Sequence, residues 1–286
     1  MYPECQNIMS SNIFRPFEQF STNIPFYGYS IICIDNKNLS KLSKKIKTRK
    51  IISYAFKNKK ADVRIIKIKQ IDYKTIFSII IKKNVIPKYS GVYKFKSNLL
   101  GEHNVLNATA AIISAILVGI KIKDIQKALN NFKGVNRRFT FLGRIKKSFI
   151  YDDYAHHPTE INAVLKSVKS VNKNRKIISI FQPHRYSRLK LLKNEFSKSF
   201  KLADEVVLCP VYPAGEKIDP KFNNSTFGKL IVKNSKVRLI IINSENDLFN
   251  YFRQNLIKDE LIICMGAGSI SSWIKSISKN EYFTKS

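Results

Sequence analysis

The chain has 286 residues, of which 44% are hydrophobic and 25% charged, enough for two ordinary domains with sizeable cores and unlike a disordered chain. Lys and Arg outnumber Asp and Glu by 51 to 20, a net charge of +31. The cations are nonetheless scattered, with modest bunching at residues 41–50 and 57–60 and no RNP-type string or zinc-finger spacing, so composition bias is favoured over specific nucleic-acid binding, and only nonspecific adhesion to polyanions at low salt is expected.

From residue 27 the pattern predicts elements in order. Residues 1–25 read as irregular. Residues 27–35 read as a strand and 38–46 as a short helix. Residues 51–56, 63–71, 75–81 and 92–95 read as strands without long helices between them, which predicts antiparallel pairing. A helix over 101–118 should end at Gly119 in a left-handed cap. A second, over 122–132, places Ile125, Leu129 and Phe132 on one face. A domain boundary is expected in 134–138, giving domains 1–135 and 136–286.

From residue 149 strands and helices alternate: strand 149–151, helix 158–171, strand 177–181, helix 189–202, strand 206–211, a loop with Pro213, Gly215 and Pro220, strand 237–242, helix 247–256, strand 261–265 and helix 269–277. That alternation predicts an α/β fold: a largely parallel, Rossmann-like sheet covered by helices on both faces, preceded by a partial α/β domain of strands and two helices. Of the four cysteines, Cys5, Cys33, Cys209 and Cys264, none forms a C-x-x-C pair, and the last three lie in apolar runs, so buried reduced thiols in a cytosolic protein are expected. The amino-terminal residues lack a signal-peptide pattern, and no run of about 18 apolar residues is present to span a membrane.

Chemistry-bearing residues concentrate at two strand-to-helix junctions, where open α/β sheets bind ligands. The first is DDYAHHPTE at 152–160, with Asp152, Asp153, Tyr154, His156 and His157. Ordinary helix capping accounts for one of these polar groups, His157 being the candidate, but not for the whole run. The second is FQPHRYSR at 181–188, where Arg185 and Arg188, three apart at a helix start, suit bidentate capture of a phosphate or carboxylate. His103, Asn104 and Asn107 sit at the start of the 101–118 helix, where capping is the simpler reading. The segment GAGS at 266–269 reads as a tight turn rather than a dinucleotide site, since the third glycine of that fingerprint is missing. No G-x-x-x-x-G-K-[ST] phosphate cradle occurs anywhere.

Seven strings carry a family resemblance: NIPFYGYSIICIDN (23–36), GEHNVLNATAA (101–111), FKGVNRRF (132–139), DDYAHHPTEI (152–161), FQPHRYSR (181–188), VYPAGE (211–216) and GAGSI (266–270). They cover nearly the whole chain in family order, and it resembles the Mur ligases, most closely those joining L-alanine to UDP-N-acetylmuramate. The resemblance implies the later part of a central ATP-binding domain plus a complete C-terminal domain. The UDP-binding domain, the P-loop and the magnesium ligands would lie outside it. The implied reaction is ATP- and Mg2+-dependent amide formation through an acyl phosphate in cytoplasmic peptidoglycan-precursor synthesis. By resemblance, His103, Asn104, Asn107, Arg138 and Asp153 would contact the nucleotide. Tyr154, His156, Arg185 and Arg188 would hold the muramoyl–alanine end, and Tyr212 and Glu216 would border the site. No catalytic residue or metal ligand is assigned. Ala155 stands where the family is expected to have Gly, which would alter that loop slightly. The partners implied are UDP-N-acetylmuramate, L-alanine and ATP, with a separately encoded N-terminal portion as a candidate. The isolated chain is expected to be inactive. The alternatives are a noncatalytic nucleotide- or substrate-binding remnant and the related ligase that recycles murein tripeptide.

Overall fold

A computed structural model describes residues 11–71, 74–172, 174–219, 222–279 and 283–284. Cys5 and Pro220 lie outside the described residues. The chain forms two compact units, Met1–Lys133 and Gly134–Ser286.

In the first unit five strands pair in chain order: β1 (Tyr29–Cys33), β2 (Lys50–Ala55), β3 (Val63–Ile71), β4 (Lys74–Ile81) and β5 (Gly91–Ser97). The antiparallel expectation for the strands over 51–95 holds for β3–β4 and β4–β5 but not for β2–β3, which are parallel, as are β1–β2. The segment between β1 and β2 carries α2 (Lys37–Lys45), capped by the Asn36 side chain, and its buried Leu39 and Leu42 make it a crossover rather than a hairpin. A second departure is α1 (Ser11–Thr22), where an irregular start was expected. Pro16 argues against a helix there, because it removes one i→i−4 bond. The helix persists with Phe17 packed on the cluster of Ile32, Ile34, Leu39, Leu42 and Ile46.

The opposite face of this sheet is covered by α3 (Glu102–Leu117) and α4 (Ile122–Asn131), with Val105, Ile112, Ile113, Ile116 and Ile125 in its core. The helix α3 ends as the sequence requires. Gly119 has φ +89, its N–H donates to Ile116 O, and the Ile120 N–H donates to Ala115 O. That is a Schellman termination, satisfying two orphan carbonyls. Ile125 is buried, but Phe132, expected on the same inner face, lies beyond the end of α4 and is 43% exposed.

The second unit is built on a seven-stranded sheet in the order β10-β9-β8-β11-β7-β6-β12. The strands are β6 (Thr140–Ile145), β7 (Ser148–Asp153), β8 (Ile177–Phe181), β9 (Glu205–Leu208), β10 (Arg238–Ile241), β11 (Leu261–Met265) and β12 (Phe283–Thr284). β10 through β7 run parallel; β6 and β12 are antiparallel additions. β8, β9 and β11 are buried at every position, which explains why they read as continuous apolar runs rather than alternating ones. The helices are α5 (Pro158–Val171), α6 (Tyr186–Leu191), α7 (Lys193–Lys198), α8 (Asn224–Ser235), α9 (Glu245–Asn255) and α10 (Ile270–Ile277). Ile178 and Ile180 of β8 join the cluster of α9 and α10, whereas Phe181 packs on Phe196 and Phe200 on the other face. Cys209 and Cys264 are buried as expected; Cys33 is only half-buried.

Three elements depart from the sequence reading. The expected helix over 189–202 is two short helices, broken at Leu192 (φ −111, ψ 25). β6 carries no clear strand signal, because Gly143 sits at a bulge and the β6–β7 turn is Lys146-Lys147, not a glycine-bearing hairpin signal. α8 has no counterpart among the expected elements, and Gly228 interrupts its apolar stripe. That glycine permits close approach to β10, since a Cβ there would lie 2.5 Å from Leu239 Cδ2.

Candidate functional site

The ends of β7, β8, β9 and β11 carry one connected set of polar side chains at the C-terminal edge of the parallel sheet, where such folds bind ligands. It begins with Asp153, the last residue of β7, which is buried and whose two carboxylate oxygens accept the N–H groups of Phe139 and Ala155, each at 2.8 Å. Burial raises its pKa to about 7, opposed by those two N–H bonds. Asp153 thus anchors the segment 137–139, in which Arg137 (φ 62) and Phe139 (φ 52) both take the left-handed conformation. That conformation costs a non-glycine residue about 1–2 kcal/mol, and such outliers cluster where geometry is imposed for function. Ala155, in place of an expected glycine, does not adopt it, so alanine fits there without backbone strain.

The strained segment presents two guanidinium groups to one ring. Arg137 lies over Tyr154 at 4.8 Å and Arg138 at 5.6 Å, while the Tyr154 N–H donates to Arg137 O at 2.7 Å. Arg137 also donates to Gly266 O and lies 3.7 Å from Asp152, whose carboxylate accepts the Ser271 hydroxyl at 2.6 Å. β7 and the turn after β11 are tied together through these contacts.

His157 is the N-cap of α5, as the capping reading requires, bonded to Thr159 Oγ1 at 2.8 Å. Glu160 completes the box, accepting the N–H groups of His156 and His157 at 3.0 and 3.2 Å. His156 is mostly buried; its Nδ1 contacts Tyr154 O at 2.9 Å, and its ring meets Tyr154 and His184 edge-on at 5.0 and 5.6 Å. The second junction is thereby joined to the first. His184 stacks on Tyr212 at 5.7 Å and pairs with Arg188 at 3.2 Å.

Arg185 and Arg188 do not share a helix face as expected. Arg185 precedes α6 with φ 70, and its N–H donates to Tyr212 O at 2.9 Å; Arg188 lies within the helix. Glu216 accepts the Ser187 hydroxyl and N–H, which lowers its pKa and fixes the 211–216 loop to the start of α6.

Gln182 closes the base of the site. It is buried, donates to Ser269 Oγ at 3.0 Å and accepts the Ile270 N–H at 2.9 Å. The turn 266–269 therefore serves packing: a Cβ on Gly268 would fall 2.4 Å from Tyr212 Cγ and 2.6 Å from Gln182 Oε1. His184, Gln182, Arg137 and Glu160 were not singled out as site residues from sequence. Their types are unremarkable, and only the fold gathers them around Tyr154 and Tyr212.

Desolvation, with the positive surroundings of His156, Arg188 and Arg185, lowers the His184 pKa from 6.5 to about 4. Its imidazole should stay neutral across neutral pH and accept from Arg188. An NMR titration of its ring protons is expected to give a midpoint near 4; a midpoint near 6.5 would contradict this environment. The linked stability is present above 6.5 and is lost as pH falls towards 4, because the unfolded imidazole protonates first.

In the first unit, Asn104 near the start of α3 donates from its amide to Leu100 O at 2.7 Å, a local contact but not the expected cap, since the N-cap residue is Gly101 with no side-chain cap bond. Asn107 lies one turn on and is exposed. His103, partly buried, has its pKa lowered to about 4 by desolvation.

The sequence matches the family described as Mur ligase, middle domain, over residues 9–115, and that described as Mur ligase, glutamate ligase domain, over residues 137–268. It is 44% identical over 265 residues to a UDP-N-acetylmuramate--L-alanine ligase of Pelagibacter ubique, covering 91% of this chain and 56% of that protein. A ligase of the same description from Wigglesworthia glossinidia brevipalpis is 38% identical over 270 residues, 91% of this chain and 55% of that protein. The fold is similar to the crystal structure of UDP-N-acetylmuramate-alanine ligase MurC from Thermotoga maritima, with a TM-score of 0.65 at 23% identity, covering 92% of this chain and 61% of that one. It is also similar to MurF ligase from Thermotoga maritima in complex with ADP, with a TM-score of 0.69 at 13% identity, covering 95% and 58%. The chain spans about half the length of the curated relatives it matches.

Proposed function

Since this chain belongs to the Mur ligase family, we propose that it is the amino-acid-handling portion of an alanine-adding ligase, UDP-N-acetylmuramate--L-alanine ligase. The observation that carries this reading is the convergence of Tyr154, His156, His184 and Arg188 at the C-terminal edge of the second unit's sheet, with Arg185 beside them.

The reaction joins the muramate carboxylate to the amine of L-alanine. The carboxylate first displaces ADP from ATP, giving an acyl phosphate; the amine then attacks the acyl carbon and phosphate leaves. The difficulty is electrostatic, because two anionic groups must meet, so positioned cations and donors supply much of the help. In our reading Arg185 and Arg188 hold the anionic end of the muramoyl–alanine portion. Neutral His184 keeps Arg188 oriented without adding a competing charge. Tyr154, flanked by Arg137 and Arg138, forms a wall beside it. Arg138 and Asp153 take the nucleotide side. Asp153 does so through the 137–139 segment that it anchors, since both of its oxygens already hold backbone N–H groups. His103, Asn104 and Asn107 are proposed to face the adenine.

Among the described residues no group of three or more His, Cys, Asp or Glu side chains could hold a metal ion. Magnesium is usually held by one or two carboxylates together with substrate phosphates, and no step is assigned to the ion. With no G-x-x-x-x-G-K-[ST] cradle in the sequence either, we propose that this chain alone binds product without turning over ATP, as a cytoplasmic protein. Among the described residues no helix is long and apolar enough to cross a membrane.

Calorimetry with UDP-N-acetylmuramoyl-L-alanine tests the reading. Binding is expected, weakened about 10- to 100-fold in the Arg185→Ala/Arg188→Ala double variant, because a charge-assisted bidentate contact is worth about 1.5–3 kcal/mol. Equal affinity in the variant would remove the arginines from the site. Alanine-dependent phosphate release by the chain alone would refute its proposed inactivity.

A further inference from the structure

In the first unit α3 and α4 pack on one face of the sheet, over Ile52, Val63, Ile65, Phe77, Ile79 and Phe95. On the opposite face α1 and α2 pack over β1 and β2, where Ile32, Ile34 and Ala55 share their cluster. The same face of β3, β4 and β5 is lined by cations. Counting by twos from Val63 and Ile65 would turn Lys67 and Lys69 inward, but the bulge between Ile65 and Lys67 turns them outward. Lys94 and Lys96 of β5 point the same way, and all four lysines are exposed; half-buried Arg64 joins them. Register sets them on both sides of β4: Lys67 and Lys94 both pair with Ser78, and Lys69 and Lys96 both pair with Ile76. The fold thus gathers on one face cations that look scattered in the sequence.

Strand spacing puts the two lysine columns about 10 Å apart, with about 7 Å between successive lysines along a strand. These separations match a Debye length of about 8–10 Å, so the charges act on a partner together. Nothing on these strands offsets them: β3, β4 and β5 contain no Asp or Glu. Asp72, between β3 and β4, lies outside the described residues. Between and beside the columns the face is apolar. Ile76 and Ile80 are half-buried, and Val92, which pairs with Ile80, is 59% exposed. The aromatic side chains of β4 and β5, Phe77, Tyr93 and Phe95, belong to the inner face.

We propose that this face is a docking surface for an anionic phospholipid bilayer. The lysine ammonium groups lie among the headgroup phosphates, their stems run along the apolar column, and Ile76, Ile80 and Val92 meet the interface. Charge complementarity and the shape of the face select this occupant: a sheet face with cations around an apolar centre suits a broad anionic surface. A single-stranded nucleic acid would draw on aromatic platforms for its bases, and the aromatics here turn inward. Contact of this kind needs no membrane-crossing helix. It does not depend on which substrate the second unit takes.

The test is co-sedimentation of the whole chain with vesicles of phosphatidylcholine containing about 30% phosphatidylglycerol, at about 0.15 M salt. Binding is expected to these vesicles and not to vesicles of phosphatidylcholine alone. The Lys67→Gln/Lys69→Gln/Lys94→Gln/Lys96→Gln variant should bind about 100-fold more weakly or worse, at about fivefold for each cation removed. A Lys166→Gln/Lys229→Gln/Lys233→Gln/Lys275→Gln variant removes the same charge from exposed positions of the second unit. It should bind within about twofold of the parent, because charges beyond a Debye length are screened. Val92→Asp, which sets a carboxylate on the face, should weaken binding about tenfold. All these positions are exposed, so thermal midpoints should match the parent's. Equal losses in the two lysine variants would assign binding to net charge alone and overturn the proposal. Absence of vesicle binding would also overturn it, as would tighter binding to a DNA duplex than to vesicles at matched phosphate concentration.

Discussion

Replacing Gly268 with alanine is expected to destabilise the second unit by about 2–3 kcal/mol, the usual cost of overpacking a filled site. The substitution is informative because its local and tertiary effects oppose each other. Taken alone, alanine restricts the unfolded chain and stabilises by about 0.4–1 kcal/mol at a compatible backbone position. Here its Cβ would lie 2.4 Å from Tyr212 Cγ, 2.6 Å from Tyr212 Cβ and 2.6 Å from Gln182 Oε1. Tyr212 Cβ and Cγ lie at the root of their side chain, and Gln182 Oε1, though terminal, is held by the Ile270 N–H. Tyr212 would have to leave its stack on His184, or Gln182 would have to release Ser269 and Ile270. Urea denaturation measures the loss, and product affinity should fall with it. An alanine variant as stable as the parent would show that the turn is not packed as described.

Asp153→Ala should be at least as damaging, about 2–5 kcal/mol, because two buried N–H groups each lose their acceptor. Asp153→Asn keeps the volume but offers one acceptor where two donors point, so about half that loss is expected. The pH dependence gives an independent check. Burial lifts the Asp153 pKa from 3.8 to about 7, so the folded state holds its proton where the unfolded state has released it. The associated stability is fully present below 3.8, declines as pH rises towards about 7, and is constant above that. Subtracting the Asp153→Asn profile from that of the parent isolates this slope; a flat difference would show that the carboxylate ionises normally.

Much of this molecule is legible in the sequence where one physical rule dominates. The buried parallel strands β8 and β11 are continuous apolar runs with sharp ends, and both match the structure residue for residue. α5 does too, because His157, Pro158 and Glu160 mark its start unambiguously. What failed were places where tertiary contacts override a local signal. Gly228 reads as a breaker, yet it is a helical residue fitted against Leu239. Pro16 reads the same way inside α1. The pairing of Arg185 with Arg188 assumed helical spacing, and the left-handed backbone of Arg185 removes it. The candidate site was located by its two histidine-bearing strings. Its internal wiring through Gln182, Arg137 and Glu160 depends on β11 inserting between β7 and β8, an order that no local pattern encodes.

We propose that the C-terminal edge of the second unit's sheet holds the muramoyl–alanine end of a ligase product. The most direct measurement is an amide and imidazole NMR titration with UDP-N-acetylmuramoyl-L-alanine. The largest shifts are expected at Tyr154, His156, His184, Arg185 and Arg188, and they should be lost in the Arg185→Ala/Arg188→Ala variant. Saturable binding whose shifts fall elsewhere in the second unit, with these five residues undisturbed, would contradict it.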